Sequence, residues 1–158
     1  MLVAGKARRH LYGHPRRRHA MRQVEGRPLW LGNRTDLQDV RGVMTKGIHA
    51  IVEVADCESF ASLPRELVRC RFPLADGGEN PTWLLHLAAD TVAALLRAGV
   101  PVLVCCSAGL SRSVCVAAAG LALRETRPFS EAITIVAAEG PADVSPALYV
   151  QFRRLLGE

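Results

Sequence analysis

Cys106 and Arg112 bracket the segment Cys106-Ser107-Ala108-Gly109-Leu110-Ser111-Arg112-Ser113, a thiol and a guanidinium separated by five residues. Such a pair can share one tetrahedral anion, with the sulfur as nucleophile and the planar fork of Arg112 donors on two oxygens. The spacing alone is weak, and its flanks give it weight. Pro101 to Cys105 is apolar on both faces, as a strand covered on each side must be, and Ser113 to Leu123 is nearly all apolar, as a buried helix is. A tight loop from a buried strand into a helix N-terminus turns successive N–H groups into one concavity, where the helix dipole adds positive potential. Gly109 supplies backbone freedom for wrapping a ligand closely. The ligand suggested is phosphate, held by Ser107, Ala108, Gly109, Leu110, Ser111 and Arg112.

At the floor of this cradle the amides, the helix end and Arg112 would favour the Cys106 thiolate, and Ser113 is placed to hydrogen-bond it and help it leave. The plainer reading makes Cys106 a small buried hydrophobe and Arg112 a surface charge. It leaves both Gly109 and the strand–loop–helix setting unexplained.

Cleavage of a phosphate ester also needs a proton for the departing oxygen. Asp76, thirty residues upstream in Pro73-Leu74-Ala75-Asp76-Gly77-Gly78, is the first candidate. It would protonate the leaving alcohol or phenol and then, as carboxylate, activate water against a Cys106 phosphoryl intermediate. Taken alone, Asp76 is a turn former ahead of two glycines. Glu79 is the second candidate, and Asp90 the third because it falls within a helical pattern.

These side chains need a frame, and the hydrophobic pattern describes one. Pro28 to Gly32 reads as a short strand, and Thr35-Asp36-Leu37-Gln38 has the form of a capping box opening a helix that stops at Gly47. Ile48 to Val54 and Leu67 to Leu74 read as further strands. Asn80 is the expected N-cap, with Pro81 at the first turn, of a helix that runs to Gly99. Ser130 to Glu139 and a final helix capped by Ser145 follow. The order predicts an α/β fold with a mostly parallel central sheet flanked by helices, and Pro101 to Cys105 in its middle.

Composition bounds the rest. The chain has 158 residues, 49% hydrophobic and 22% charged, which fits one domain with a real core. Residues 1–27 carry eight Lys or Arg against Glu25 alone, whereas residues 28–158 are net negative by two. This divides the chain into a basic N-terminal extension, 1–27, and a catalytic domain, 28–158. The extension lacks interleaved aromatics and a recognisable binding module, so nucleic acid is not an expected partner. No apolar run reaches membrane-spanning length and no signal-type segment forms after Met1, which predicts a soluble, cytoplasmic protein. Five cysteines without a Cys-x-x-Cys pair predict thiols and no zinc.

Val102-Leu103-Val104-Cys105-Cys106 through Ser113, the Pro73-x-x-Asp76 segment and Leu29-Trp30-Leu31-Gly32 together resemble the dual-specificity protein phosphatases. The resemblance spans about residues 28 to 156. It implies their fold and a mechanism without metal or cofactor: Cys106 as nucleophile, Arg112 as phosphate clamp, Asp76 as general acid and Ser113 assisting. The absence of lysine from the 107–111 loop favours protein phosphotyrosine and phosphoserine/threonine over phosphoinositides, so the implied partner is a phosphorylated protein. The chain departs from the family's pattern at Cys105, where a histidine is usual, and at Glu53 and Ala147, where asparagine is usual. A carboxylate near the cradle repels phosphate unless it is paired. A phospho-binding module without turnover is therefore the alternative reading, and a rhodanese or arsenate reductase a third.

Adjacent thiols at 105 and 106 also raise a redox reading with Cys57 or Cys115 as resolving partner, against the commoner case of core cysteines. His10, His14 and His19 match no ligand set. Trp30 and Trp83 are expected in the core or at its edge.

Overall fold

The computed structural model describes residues 21–56 and 62–158. The rest of the basic extension, with His10, His14 and His19, lies outside the described residues, as does Cys57.

The elements follow as β1 (Arg22–Gln23), β2 (Leu29–Asn33), a 3-10 turn (Asp36–Gln38), α1 (Val40–Thr45), β3 (Ala50–Ala55) and β4 (Val68–Leu74). After them come α2 (Thr82–Arg97), β5 (Val102–Cys106), α3 (Arg112–Glu125), α4 (Phe129–Ala137) and α5 (Pro146–Leu155). The sheet runs β1-β2-β5-β3-β4, with β1–β2 antiparallel and every other pair parallel. The expected mostly parallel sheet is thus observed, and β5 occupies its centre. Three parallel pairings, β2–β5, β5–β3 and β3–β4, bring the carboxyl ends of β2, β3, β4 and β5 to one rim, where open α/β sheets carry their sites.

Strand alternation separates two cores. Val102, Val104 and Cys106 face the larger one with α2, α3, α4 and α5, whereas Leu103 and Cys105 face the smaller one with Leu37, Val43 and Ile51. α3 is buried at every residue from Arg112 to Ala122, which explains its uniform apolarity. In α4 and α5, Phe129 and Phe152 are both fully buried and stack with ring centroids 5.8 Å apart. The sheet begins at Arg22, and Val24 is fully buried, so the packed body extends upstream of residue 28.

Three local expectations are corrected. Thr35 has helical dihedrals and makes no capping bond; Asn33 Oδ1 instead accepts from the N–H groups of Thr35 (2.8 Å) and Asp36 (3.2 Å), and Asp39 caps α1 through Gly42 N. Asn80 does not cap α2, because its side-chain amide is turned back onto Ala75. Trp83 is 65% exposed on the outer face of α2, so it lies outside the core. Trp30 is half-buried, with Lys46 Nζ 4.9 Å from its ring centroid. Ser145 does cap α5, accepting from Leu148 N at 3.4 Å. Among the described residues no helix is long and apolar enough to cross a membrane.

Candidate active site

Cys106 is the last residue of the central strand, and Arg112 the first of the buried helix, so the five residues between them form the turn at the carboxyl rim. Cys106 is 5% exposed and its Sγ accepts from Gly109 N at 3.3 Å. Ser113 Oγ lies 3.3 Å from the same sulfur, and Ser113 is fully buried. The first N–H groups of α3, which have no partner within the helix, begin beside this sulfur. Gly109 makes the turn possible: its φ is +75°, and a Cβ there would come 2.8 Å from the Gly32 carbonyl oxygen on β2.

Arg112 is 7% exposed. Its Nη1 donates to Asp56 Oδ1 at 2.9 Å and to the Leu74 carbonyl at 3.0 Å, and its Nη2 donates to Ser107 Oγ at 2.8 Å. The ends of β3 and β4 therefore hold the guanidinium against the cradle. Its Nε is buried and has no partner among the described residues, which leaves one charged donor for an oxyanion. Asp56 was not legible in the sequence, since a lone Asp after an apolar strand has no special spacing.

Asp76 is exposed and held at the cradle: Ser111 Oγ donates to its Oδ1 at 2.7 Å and accepts from Ser145 N at 2.9 Å. Ser111 thus spends its hydroxyl on Asp76 and α5 and makes no cap on its own helix. Asn80 closes the Asp76 loop from behind, accepting from Ala75 N at 2.8 Å and donating to Ala75 O at 3.1 Å and to Gln151 Oε1 at 3.2 Å. Neither Glu79 nor Asp90, both exposed, hydrogen-bonds to the 106–113 segment among the described residues. The structure brings Cys106, Arg112, Asp76 and Ser113 together with Ser107, Ala108, Gly109, Leu110 and Ser111.

Two of the positions that depart from the family's pattern, Glu53 and Cys105, are neighbours in the sheet. Glu53 is paired with Arg69 Nε and sits beside Cys105 in register, on the smaller-core side of the sheet. Burial pushes the Cys105 thiol well up, and the neighbouring Glu53 and Cys106 add to the effect. Burial likewise raises the Cys115 thiol, with Asp76 and Cys106 contributing. Neither is poised as a second thiolate. On the β1 side, Arg22 Nη2 donates to the carbonyls of Gly109 (3.1 Å) and Pro141 (3.0 Å), a contact with no signature in the sequence.

The sequence matches no family model and no curated protein. Solved structures do match. Human DUSP28 superposes with a TM-score of 0.76 at 23% identity, covering 85% of this chain and 91% of its own. A mouse protein described as a dual specificity phosphatase and crystallised with zinc tungstate gives 0.75 at 23% identity, covering 92% of both chains. The human tyrosine phosphatase-like serine/threonine/tyrosine-interacting protein gives 0.71 at 18%, covering 85% of this chain and 93% of its own. At these identities the likeness speaks for architecture, and this chain has the fold of the dual-specificity phosphatases.

Proposed function

We propose that the protein is a cysteine-dependent phosphatase that hydrolyses phosphotyrosine and phosphoserine/threonine esters of proteins without metal or cofactor. The observation that carries this reading is the convergence on one turn of a buried sulfur, a clamped guanidinium whose Nε has no partner among the described residues, and an exposed carboxyl.

The Cys106 thiolate attacks phosphorus, forming the P–S bond as the ester P–O bond breaks. Asp76 delivers its proton to the departing oxygen. Arg112 Nε and the loop amides take up the charge spreading over the phosphoryl oxygens, so the site is a preformed anion cradle. In the second half, the Asp76 carboxylate removes a proton from water as its oxygen attacks phosphorus. The P–S bond then breaks, releasing phosphate and the thiolate that Ser113 stabilises. The exposure of Asp76 lets the attacking water reach its carboxylate in the second step. A mechanism through free thiolate suits a reducing, cytoplasmic setting, and Cys70, Cys105, Cys106 and Cys115 are all free thiols.

Hydrolysis of p-nitrophenyl phosphate in the presence of a chelator tests the reading. The expected result is vanadate-sensitive turnover that Cys106→Ser abolishes, Asp76→Asn slows about 10²–10⁴-fold, and acid quenching traps as a phosphocysteine. Phosphopeptide binding without turnover at any pH would instead establish the binding module.

A further inference from the structure

Arg22 belongs to a two-residue strand at the sheet's edge, yet its side chain ends at the phosphate loop. One nitrogen, Nη2, bridges Gly109 O and Pro141 O. Its stem lies over Gly140, where a Cβ would come within 2.6 Å of Arg22 Cδ. Gly109 is therefore held from both ends, its N–H by the Cys106 sulfur and its carbonyl by Arg22. The next carbonyl, of Leu110, accepts from Asp143 N at 2.9 Å, so the 140–145 segment and Arg22 together back the loop.

The charge has a place as well as a geometry. Arg22 and the Asp56–Arg112 pair approach from opposite sides of β5, given the strand order β1-β2-β5-β3-β4. Burial lowers the Arg22 pKa while the negative forms of Cys106 and Asp36 raise it, which identifies the two groups its charge faces. A guanidinium stays protonated in such a setting.

We propose that Arg22 is a positioning residue for the Cys106 chemistry: by holding the Gly109 carbonyl it pins the turn at the residue whose N–H points at the sulfur, and it sets a second positive charge on the β2 side of the cradle. This rests on the reading of Cys106 as a phosphate-directed nucleophile. The guanidinium acts through the main chain, since its described bonds, both from Nη2, go to the carbonyls of Gly109 and Pro141.

The experiment compares the parent with Arg22→Gln, Arg22→Lys and Gly140→Ala, reading vanadate inhibition and the alkylation of Cys106 by anionic iodoacetate against neutral iodoacetamide, followed by mass spectrometry of the Cys106 peptide. Arg22→Gln is expected to weaken vanadate about tenfold, the scale of a lost charge-assisted hydrogen bond, and to lower the iodoacetate-to-iodoacetamide rate ratio about threefold or more. Arg22→Lys should keep the ratio but lose part of the vanadate affinity, because one ammonium replaces a fork. Gly140→Ala should lose vanadate affinity with the charge intact, because its methyl displaces the Arg22 stem. Values for Arg22→Gln within about twofold of the parent in both readouts would overturn the proposal. If Arg22→Gln does not fold, unchanged vanadate inhibition in both other variants overturns it equally. A parent that neither binds vanadate nor turns over would sink the phosphatase reading, and the alkylation ratio would still report whether Arg22 acts on the sulfur.

Discussion

Arg112 and Asp56 form an ion pair of unequal exposure, with Nη1 2.9 Å from Oδ1 and side chains 9% and 44% exposed. Asp56 thus reaches in from the surface to orient a buried guanidinium whose Nε remains for an anion. Asp56→Ala is expected to lower kcat/KM for p-nitrophenyl phosphate about tenfold, on the scale of a hydrogen bond to a charged group. The Leu74 and Ser107 contacts should keep Arg112 in place, so thermal unfolding should shift by only a few degrees. An unchanged kcat/KM would show that those two contacts suffice.

Ser111 ties Asp76 to the start of α5. A general acid matters most when the leaving group is a poor one, so Ser111→Ala should act selectively. Hydrolysis of phenyl phosphate is expected to slow about tenfold, and that of 2,4-dinitrophenyl phosphate by no more than about twofold. Equal losses on both substrates would assign Ser111 to the cradle and not to Asp76.

Gly109→Ala places a side chain in the left-handed region and drives its Cβ to 2.8 Å from the Gly32 carbonyl, backbone against backbone. The expected cost is about 1–3 kcal/mol in chemical denaturation together with loss of vanadate binding. Retained binding would show that the loop can take another path.

Far from the site, Glu125 accepts from both Arg27 and Arg127, and the Arg27 hydrogen bond chiefly holds its carboxyl below the ordinary 4.5. A depressed folded-state pKa stabilises the protein above the unfolded value, and that contribution fades as pH falls through the folded one. Glu125→Gln should therefore cost about 1 kcal/mol at neutral pH, and the gap to the parent should close below pH 4.5 in urea titrations. A gap that persisted undiminished in acid would mean that the pair acts by packing alone.

The central strand, the loop and the buried helix were legible because each is a local pattern: an apolar run, a glycine where the chain must turn, a second apolar run. Cys106, Arg112 and Ser113 came with them. What escaped were partners delivered by neighbouring strand ends. Asp56 lies 56 residues from Arg112 and Arg22 lies 87 from Gly109, distances across which spacing carries no information and only sheet order makes contact. Polar residues with several possible uses were misassigned for a related reason. Asn80 looks like a cap, but folding the Asp76 loop back offers its amide two main-chain groups of Ala75 at once. Thr35 lost its expected role to Asn33, whose side chain reaches the same turn from two residues earlier.

Cys105 and Cys106 are consecutive on β5, and the pleat sends one sulfur into the smaller core and the other to the 107–111 turn. Which of the twins meets the turn is a matter of parity. Deleting a single residue from the start of that strand, with the rest of the sheet unchanged, would move Cys106 into the place of Cys105 and turn its sulfur into the smaller core, while leaving composition, charge and motif almost untouched.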